Sequence, residues 1–309
     1  MALFLTMPVS LRAAKVALFH HPDFVHVEPG NLFAEASNMK AALEAQGHEV
    51  LPFSDYSELG FRQVMADADL LIVPELERGN LWSALSSKTI DALRQYVDCG
   101  GGLIINGVVS SFSTQNNNAI ELLNGAFGFA LESAQIELSG TSVLNPVAAV
   151  GSFVGGPQTL DDNSANAYLW NYSLPENSRP LYHKSNQEDQ VSVALMPYGA
   201  GQVLYLGWSW WNAAPVGNLN GGWSALMENS IEQLGCRNEL KLSETMPAFN
   251  LSSSGELELS TLQIEPYLQL SCSDIRTVDI YPAFFNCDDI GAQSVLLTVQ
   301  DQCGRRIEQ

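Results

Sequence analysis

The stretch Tyr96-Val-Asp-Cys-Gly-Gly-Gly-Leu-Ile-Ile-Asn-Gly-Val-Val-Ser-Ser111 constrains the fold of this chain more than any other. It reads as a helix end, a glycine break, a short buried strand and a second break. Gly100, Gly101 and Gly102 stop the helix, because glycine enters the left-handed cap without a Cβ clash. Leu103, Ile104 and Ile105 are a continuous apolar run, as in a parallel strand covered on both faces. Gly107 turns the chain out at the strand's carboxyl end, where open α/β sheets place ligands and catalytic groups. The residues at that end, Asn106 to Ser111, include no convincing nucleophile.

Around this stretch strands and helices alternate. Apolar runs at 15–20, 49–53, 69–75 and 103–105 read as strands, and helical spacing covers 31–46, 61–68, 86–99 and 117–127. Leu32, Phe33, Ala36, Met39 and Leu43 recur at three and four in the first of these helices. Ser86 or Ser87 caps the third, and Asp91 adds a favourable charge in its first turn. Pro52 puts the second strand near an edge. The alternation predicts a flavodoxin-like α/β fold, a parallel sheet with helices on both faces. Residues 130–186 read as an insertion of short strands and loops. Residues 191–207 form a hairpin about Gly199-Ala200-Gly201. A loop rich in Trp, Asn and Gly follows at 208–222, then a closing helix at 223–234. After Gly235 the helical period gives way to short alternating stretches at 256–260, 277–281 and 294–299, the pattern of a small β-sandwich. The expected division is an α/β domain over 13–235 and a β module over 236–309.

Charge narrows the partners. Lys and Arg number 14 against 34 Asp and Glu, a formal net charge of -20. Nucleic acid needs a basic face to displace counterions, so it is excluded, as are anionic membrane surfaces. No run reaches the roughly 20 apolar residues of a membrane span. Residues 1–11 are apolar but lack a basic leader and do not read as a secretory signal. The abrupt stop at 305–309 reads as a piece of a longer product with further domains. No cofactor is implied. Calcium is the one cation the acidity suggests, at Asp161-Asp162 or Asp288-Asp289, where a solvated acidic turn is the alternative.

Three pieces carry a resemblance: Asp69-Leu-Leu-Ile-Val-Pro74, the Tyr96 to Ile105 stretch, and Pro197-Tyr-Gly-Ala-Gly-Gln-Val-Leu-Tyr-Leu-Gly207. In their order and spacing, residues 15–234 resemble the class I glutamine amidotransferase-like superfamily, in its trehalose-utilisation-like branch. Active members of that family carry a cysteine on the turn after the strand equivalent to 103–105, and a late histidine. Here Asn106 and Gly107 stand at the turn, and no histidine follows His183. The resemblance therefore implies the fold without the glutaminase. Cys99 precedes the strand, at the opposite edge, and is expected to remain a thiol. Residues 272–304, with Cys287-Asp-Asp-Ile-Gly291 and Asp301-Gln-Cys-Gly304, resemble hyalin-repeat-like, immunoglobulin-like modules of secreted bacterial proteins. That resemblance implies an extracellular or cell-surface protein and pairs Cys272 with Cys287. The module's small size also favours bridges. A Cys272–Cys287 bridge would contribute about 3 kcal/mol, and Cys236–Cys303 would tie the module's ends.

Four segments are expected at the carboxyl edge of the sheet. They carry His20 and His21; Glu75 and Glu77; Asn106, Ser110 and Ser111; and Trp208, Trp210 and Trp211. Ser110, His20 and Glu75 have the residue types of a hydrolase triad. His20, His21 and Glu75 have the types, though not the spacing, of a metal site. Trp208, Trp210, Trp211 and Asn212, with Glu75 and Asn106, would offer aromatic faces beside polar groups to a carbohydrate or peptide. The alternative is that the tryptophans pack on the helix at 223–234. The leading expectation is a non-catalytic binding or scaffolding part of an exported multidomain protein. A hydrolase at the same edge and a structural spacer are the other readings.

Overall fold

The computed structural model describes residues 13–107, 118–134, 140–163, 165–235, 240–243, 248–270, 274–302, 304 and 306–309. Alternation along the first strand, β1 (Lys15–Phe19), sets the layering. Ala17 and Phe19 point to one face and Val16 and Leu18 to the other, and all four are fully buried. The following elements are α1 (Glu35–Ala45), β2 (Glu49–Phe53), α2 (Glu58–Asp67) and β3 (Leu70–Val73). Then come α3 (Leu81–Ala84), α4 (Ser87–Asp98), β4 (Gly102–Asn106) and α5 (Asn118–Phe127). Phe61 and Val64 of α2, Leu93 and Val97 of α4 and Leu122 of α5 close over the Ala17 face. Met39 and Leu43 of α1 cover the Val16 face, together with Leu226, Met227 and Ile231 of α6 (Trp223–Leu234). Helices thus lie on both faces, as the alternation predicts.

Serine side chains start two of these helices. Ser57 accepts from the Gly60 amide, and Ser86, of the two candidate serines, accepts from the Thr89 amide. Each satisfies an amide that the first helical turn leaves without a partner.

The second half of the chain adds β5 (Thr141–Leu144), β6 (Thr159–Asp161), β7 (Leu169–Trp170), β8 (Arg179–Lys184), β9 (Gln187–Tyr198) and β10 (Gly201–Leu206). The sheet has ten strands, in the order β2-β1-β3-β4-β10-β9-β8-β5-β6, with β7 paired to β9. Its first five strands are parallel, in the flavodoxin-like order. Pro52 lies on the edge strand β2, where its missing N–H costs no ladder bond. The sheet is mixed rather than parallel throughout. The β9–β10 hairpin reverses direction through Gly199 and Ala200, and Gly199 takes the positive φ of 56° that the tight turn requires. Within the stretch read as an insertion of short strands and loops, β5 to β8 are strands, and they extend the same sheet with antiparallel pairing.

Beyond α6 the strands β11 (Leu240–Leu242), β12 (Leu257–Glu258), β13 (Leu268–Leu270), β14 (Ile275–Tyr281), β15 (Phe284–Phe285), β16 (Leu296–Asp301) and β17 (Arg306–Glu308) form small antiparallel sheets. These pair as β11-β13, β12-β15 and β14-β16-β17. They share an apolar cluster that includes Leu259, Ile264, Val278, Leu297 and Val299. Cys287 is an exposed free thiol whose Sγ lies 3.6 Å from the Gly255 carbonyl, so the expected Cys272–Cys287 bridge is not formed. Cys287 opens a short turn capped by Asn286, which fixes it where it meets Gly255. Cys272, Cys236 and Cys303 lie outside the described residues. No helix among the described residues is long and apolar enough to cross a membrane.

Phe61 measures the packing between α2 and the sheet. Its ring is 1% exposed and meets Phe19 and Phe53 at centroid distances of 6.4 and 5.3 Å. Phe61→Ala should lower unfolding stability by about 3–5 kcal/mol. The expected result in urea is a lower midpoint with an unchanged slope.

Candidate functional site

In this strand order the chain passes to opposite sides of β1, so a crevice opens beyond the carboxyl ends of β1 and β3. Residues 20–34 follow β1 and residues 74–80 follow β3, and backbone bonds tie the two segments together. The Arg78 amide donates to the Phe24 carbonyl at 3.0 Å, and the Ala36 amide at the start of α1 donates to the His26 carbonyl at 3.2 Å. Asn118, opening α5, donates through Nδ2 to the Leu76 and Gly79 carbonyls. Gly79 permits the approach, since a Cβ there would stand 2.6 Å from the Asp23 carbonyl oxygen. Phe24, nearly buried, packs on Phe19 and His21 beneath the segment.

This frame brings together His26, Glu35 and Glu77, whose donor atoms lie within 4.8 Å of one another. His26 Nδ1 is 2.9 Å from Glu35 Oε2 and 3.3 Å from Glu77 Oε2. Glu35, the first residue of α1, is 5% exposed. Burial pushes its carboxyl up to about 7, with the Glu28 charge adding to the shift and its backbone hydrogen bond opposing it. Burial also raises Glu77 to about 7, helped by the Glu35 charge and opposed by His26. Glu75 is buried beside them. Its pKa is raised well above the ordinary carboxyl value by burial first and then by the Glu35 charge. Glu75 Oε1 accepts the Trp210 amide at 2.6 Å, and Oε2 has no hydrogen-bond partner among the described residues. The neighbouring cation, Arg78, is paired with Glu28 at 3.0 Å.

The tryptophan loop does not form the expected aromatic platform. Trp208 and Trp210 are 2% and 1% exposed. Trp208 stacks on Trp223 of α6 with centroids 5.5 Å apart, and Trp210 meets it edge-on at 4.9 Å. These two rings are core, because α6 closes over the loop and removes their area from water. Asn106 is fully buried and donates to the Trp208 carbonyl at 3.3 Å, so it holds the loop instead of facing a ligand. Asn38 of α1 does the same at the Trp210 carbonyl, at 3.0 Å. Trp211 alone stays partly exposed. It stacks on Phe33 with centroids 6.1 Å apart and planes 9° from parallel, and Phe33 is 63% exposed. Asn212, at a positive φ of 53°, turns its side-chain amide to Asn218.

The remaining candidates do not converge. His20 Nε2 lies 3.4 Å from Ser37 Oγ, and its imidazole is held below its ordinary pKa by burial and then by the Lys40 charge. Glu75 is bonded to the Trp210 amide and not to His20, so the triad lacks its base–acid bond. Ser110 and Ser111 lie outside the described residues. His21 Nδ1 accepts the Asp23 amide and takes no part in the donor cluster. Asp162 accepts from the Tyr168 hydroxyl at 2.9 Å, and burial raises it to about 6. Asp288 and Asp289 shape the Asn286-capped turn. Sequence reading named Glu75 and Glu77 but missed His26 and Glu35. Their nine-residue separation spans a loop with no period, and Glu35 resembles an ordinary first-turn acid. The usable signal was the pair of segments after β1 and β3, read together as a switch point.

No protein-family model matches the sequence, and no curated protein matches it. Solved structures similar to the chain include a protein described as ThuA-like from Bacteroides uniformis, at 14% identity, covering 73% of this chain and 94% of that one, with a TM-score of 0.48. A cytoplasmic protein of Salmonella typhimurium is similar at 12% identity over 72% of this chain and 99% of that one, with a TM-score of 0.47. A β-galactosidase of Bacillus circulans sp. alkalophilus is similar at 12% identity over 96% of this chain and 39% of that one, with a TM-score of 0.44.

The raised carboxyls fix a pH dependence. Between about 4.5 and 7 the folded chain holds protons on Glu35 and Glu77 that the unfolded chain releases. Their contribution to stability is therefore greatest below about 4.5 and is lost as pH rises through 7. Glu35→Gln and Glu77→Gln should raise the melting temperature at pH 8 by a few degrees and leave it nearly unchanged at pH 4.5. Equal effects at both pH values would contradict the raised pKa values.

Proposed function

We propose that the chain is a non-catalytic carbohydrate-binding part of a larger protein, with its ligand at the carboxyl edge between β1 and β3. One observation carries the reading. The segment that delivers Glu35 to the acid cluster also carries Phe33, whose exposed ring is stacked on Trp211. An aromatic face beside carboxylates and an imidazole suits a sugar, whose C–H face packs on the ring while its hydroxyls meet the polar groups.

The absence of glutaminase chemistry is part of the same proposal. A Cβ at Gly107 would collide with the buried Tyr205 hydroxyl, and Asn106 is occupied with the Trp208 carbonyl. At Gly107 itself, a nucleophilic side chain would have to displace the Tyr205 ring. The trehalose-utilisation-like branch, the division at 235/236 and the hyalin-like character of the last sheets belong to the proposal as well. The separate apolar cluster of those sheets supports the division. An exported setting rests on acidity and the resemblance of 272–304, since the bridge that would have supported it is absent.

Binding is tested by titrating soluble oligosaccharides into the purified chain. Phe33→Ala and Trp211→Ala should each weaken a bound sugar at least tenfold without lowering the melting temperature, as for an aromatic anchor. If neither variant affects binding, or no sugar binds, the reading is wrong. The nucleophile argument has its own test. Gly107→Cys should stay inactive on glutamine and lose about 1–3 kcal/mol of stability through overpacking against Tyr205.

A further inference from the structure

We propose that His26, Glu35 and Glu77 bind a divalent transition-metal ion of the zinc or manganese class. The inference deepens the binding-site reading and rests on it. Donor chemistry selects the ion, since one imidazole nitrogen with carboxylate oxygens suits zinc and its neighbours, whereas calcium and magnesium take oxygen alone. Geometry agrees. A tetrahedral ion with bonds near 2.1 Å holds its ligand atoms about 3.4 Å apart. His26 Nδ1 already stands 2.9 Å from Glu35 Oε2 and 3.3 Å from Glu77 Oε2. All three donor atoms lie within 4.8 Å of one another, so small side-chain adjustments would bring them around one ion.

Two further observations point to a cation. Glu75 is 1% exposed, feels the Glu35 and Glu77 charges, and keeps Oε2 without a hydrogen-bond partner among the described residues. A buried carboxyl oxygen without a partner is costly, and a cation beside these carboxyls would relieve that cost by favouring their charged forms. Arg78, the cation on the same segment, is committed to Glu28 and does not fill that role. Access is open on one side, because the His26 and Glu77 side chains are 33% and 20% exposed while Glu35 closes the floor at 6%.

The experiment uses the full chain, freed of metal with a chelator and titrated calorimetrically with zinc chloride and with manganese chloride. The expected result is one ion per chain, a melting temperature that rises with added ion, and affinity lost at least 100-fold in His26→Ala and Glu77→Gln. Glu28→Gln, outside the donor set, should bind normally. Should the Glu77 variant fail to fold, the His26 imidazole resonances in the unaltered chain supply the readout, and they should shift in step with ion uptake. No uptake by the unaltered chain, or uptake unchanged in His26→Ala, overturns the proposal. Sugar binding that survives chelation in a chain taking up no ion overturns the metal and leaves the binding site standing.

Discussion

The Glu75 carboxyl holds the Trp210 amide at 2.6 Å in a place that water does not reach. The carboxyl edge of the sheet is assembled around that bond. It joins the segment after β3 to the loop after β10, across the width of β4. With it go the Asn106 bond to the Trp208 carbonyl and the Asn38 bond to the Trp210 carbonyl. Three polar side chains from three elements thus satisfy the backbone of an irregular loop that no ladder can satisfy. The tryptophans Trp208 and Trp210 then fill the space against α6.

Fixing that loop decides what the edge can offer. Trp208 and Trp210 are consumed as core, and what the loop still offers is Trp211, stacked on the exposed Phe33. Phe33 lies two residues before Glu35, so the position of the exposed ring and that of the buried acid are set together by the entry into α1. The same entry places the His26 carbonyl on the Ala36 amide and so holds the imidazole near both carboxyls. A short connection between β1 and α1 therefore carries the apolar and the polar halves of the candidate site.

The layering was legible in the sequence because the central strands β1, β3 and β4 are apolar runs and the longer helices have a period or a cap. Ser86, Pro52 and the Gly199-Ala200 turn each did locally what the structure shows. The pairing of the antiparallel half was not legible, since β5, β6 and β7 are two to four residues long and are strands only through partners distant in sequence. The site was half legible. Glu75 and Glu77 stand directly after a recognisable strand. His26 sits in the loop before α1 and Glu35 at the first position of the helix, and the loop's path depends on contacts with Arg78 and Ala36 that no local pattern announces. The tryptophans stayed open between a binding face and packing on the helix at 223–234 for a related reason. A Trp-rich loop at a sheet edge reads the same whether the neighbouring helix covers it or leaves it open.

The energetics of the acid cluster bear on why such a group would be built at all. Burying carboxyls against one another costs stability at neutral pH, and burial is the first cause of the shift at Glu35, Glu75 and Glu77 alike. One imidazole offsets part of that cost. Apolar residues of similar volume would commonly leave a fold at least as stable. Glu75 has a structural task in the Trp210 bond, and one of its oxygens is enough for it. Among the described residues Glu35 and Glu77 are paired with His26, which is itself partly open to solvent. Carboxyls with perturbed protonation at the switch point of an α/β sheet, held there at a cost by backbone bonds from two loops, fit a site better than a strut.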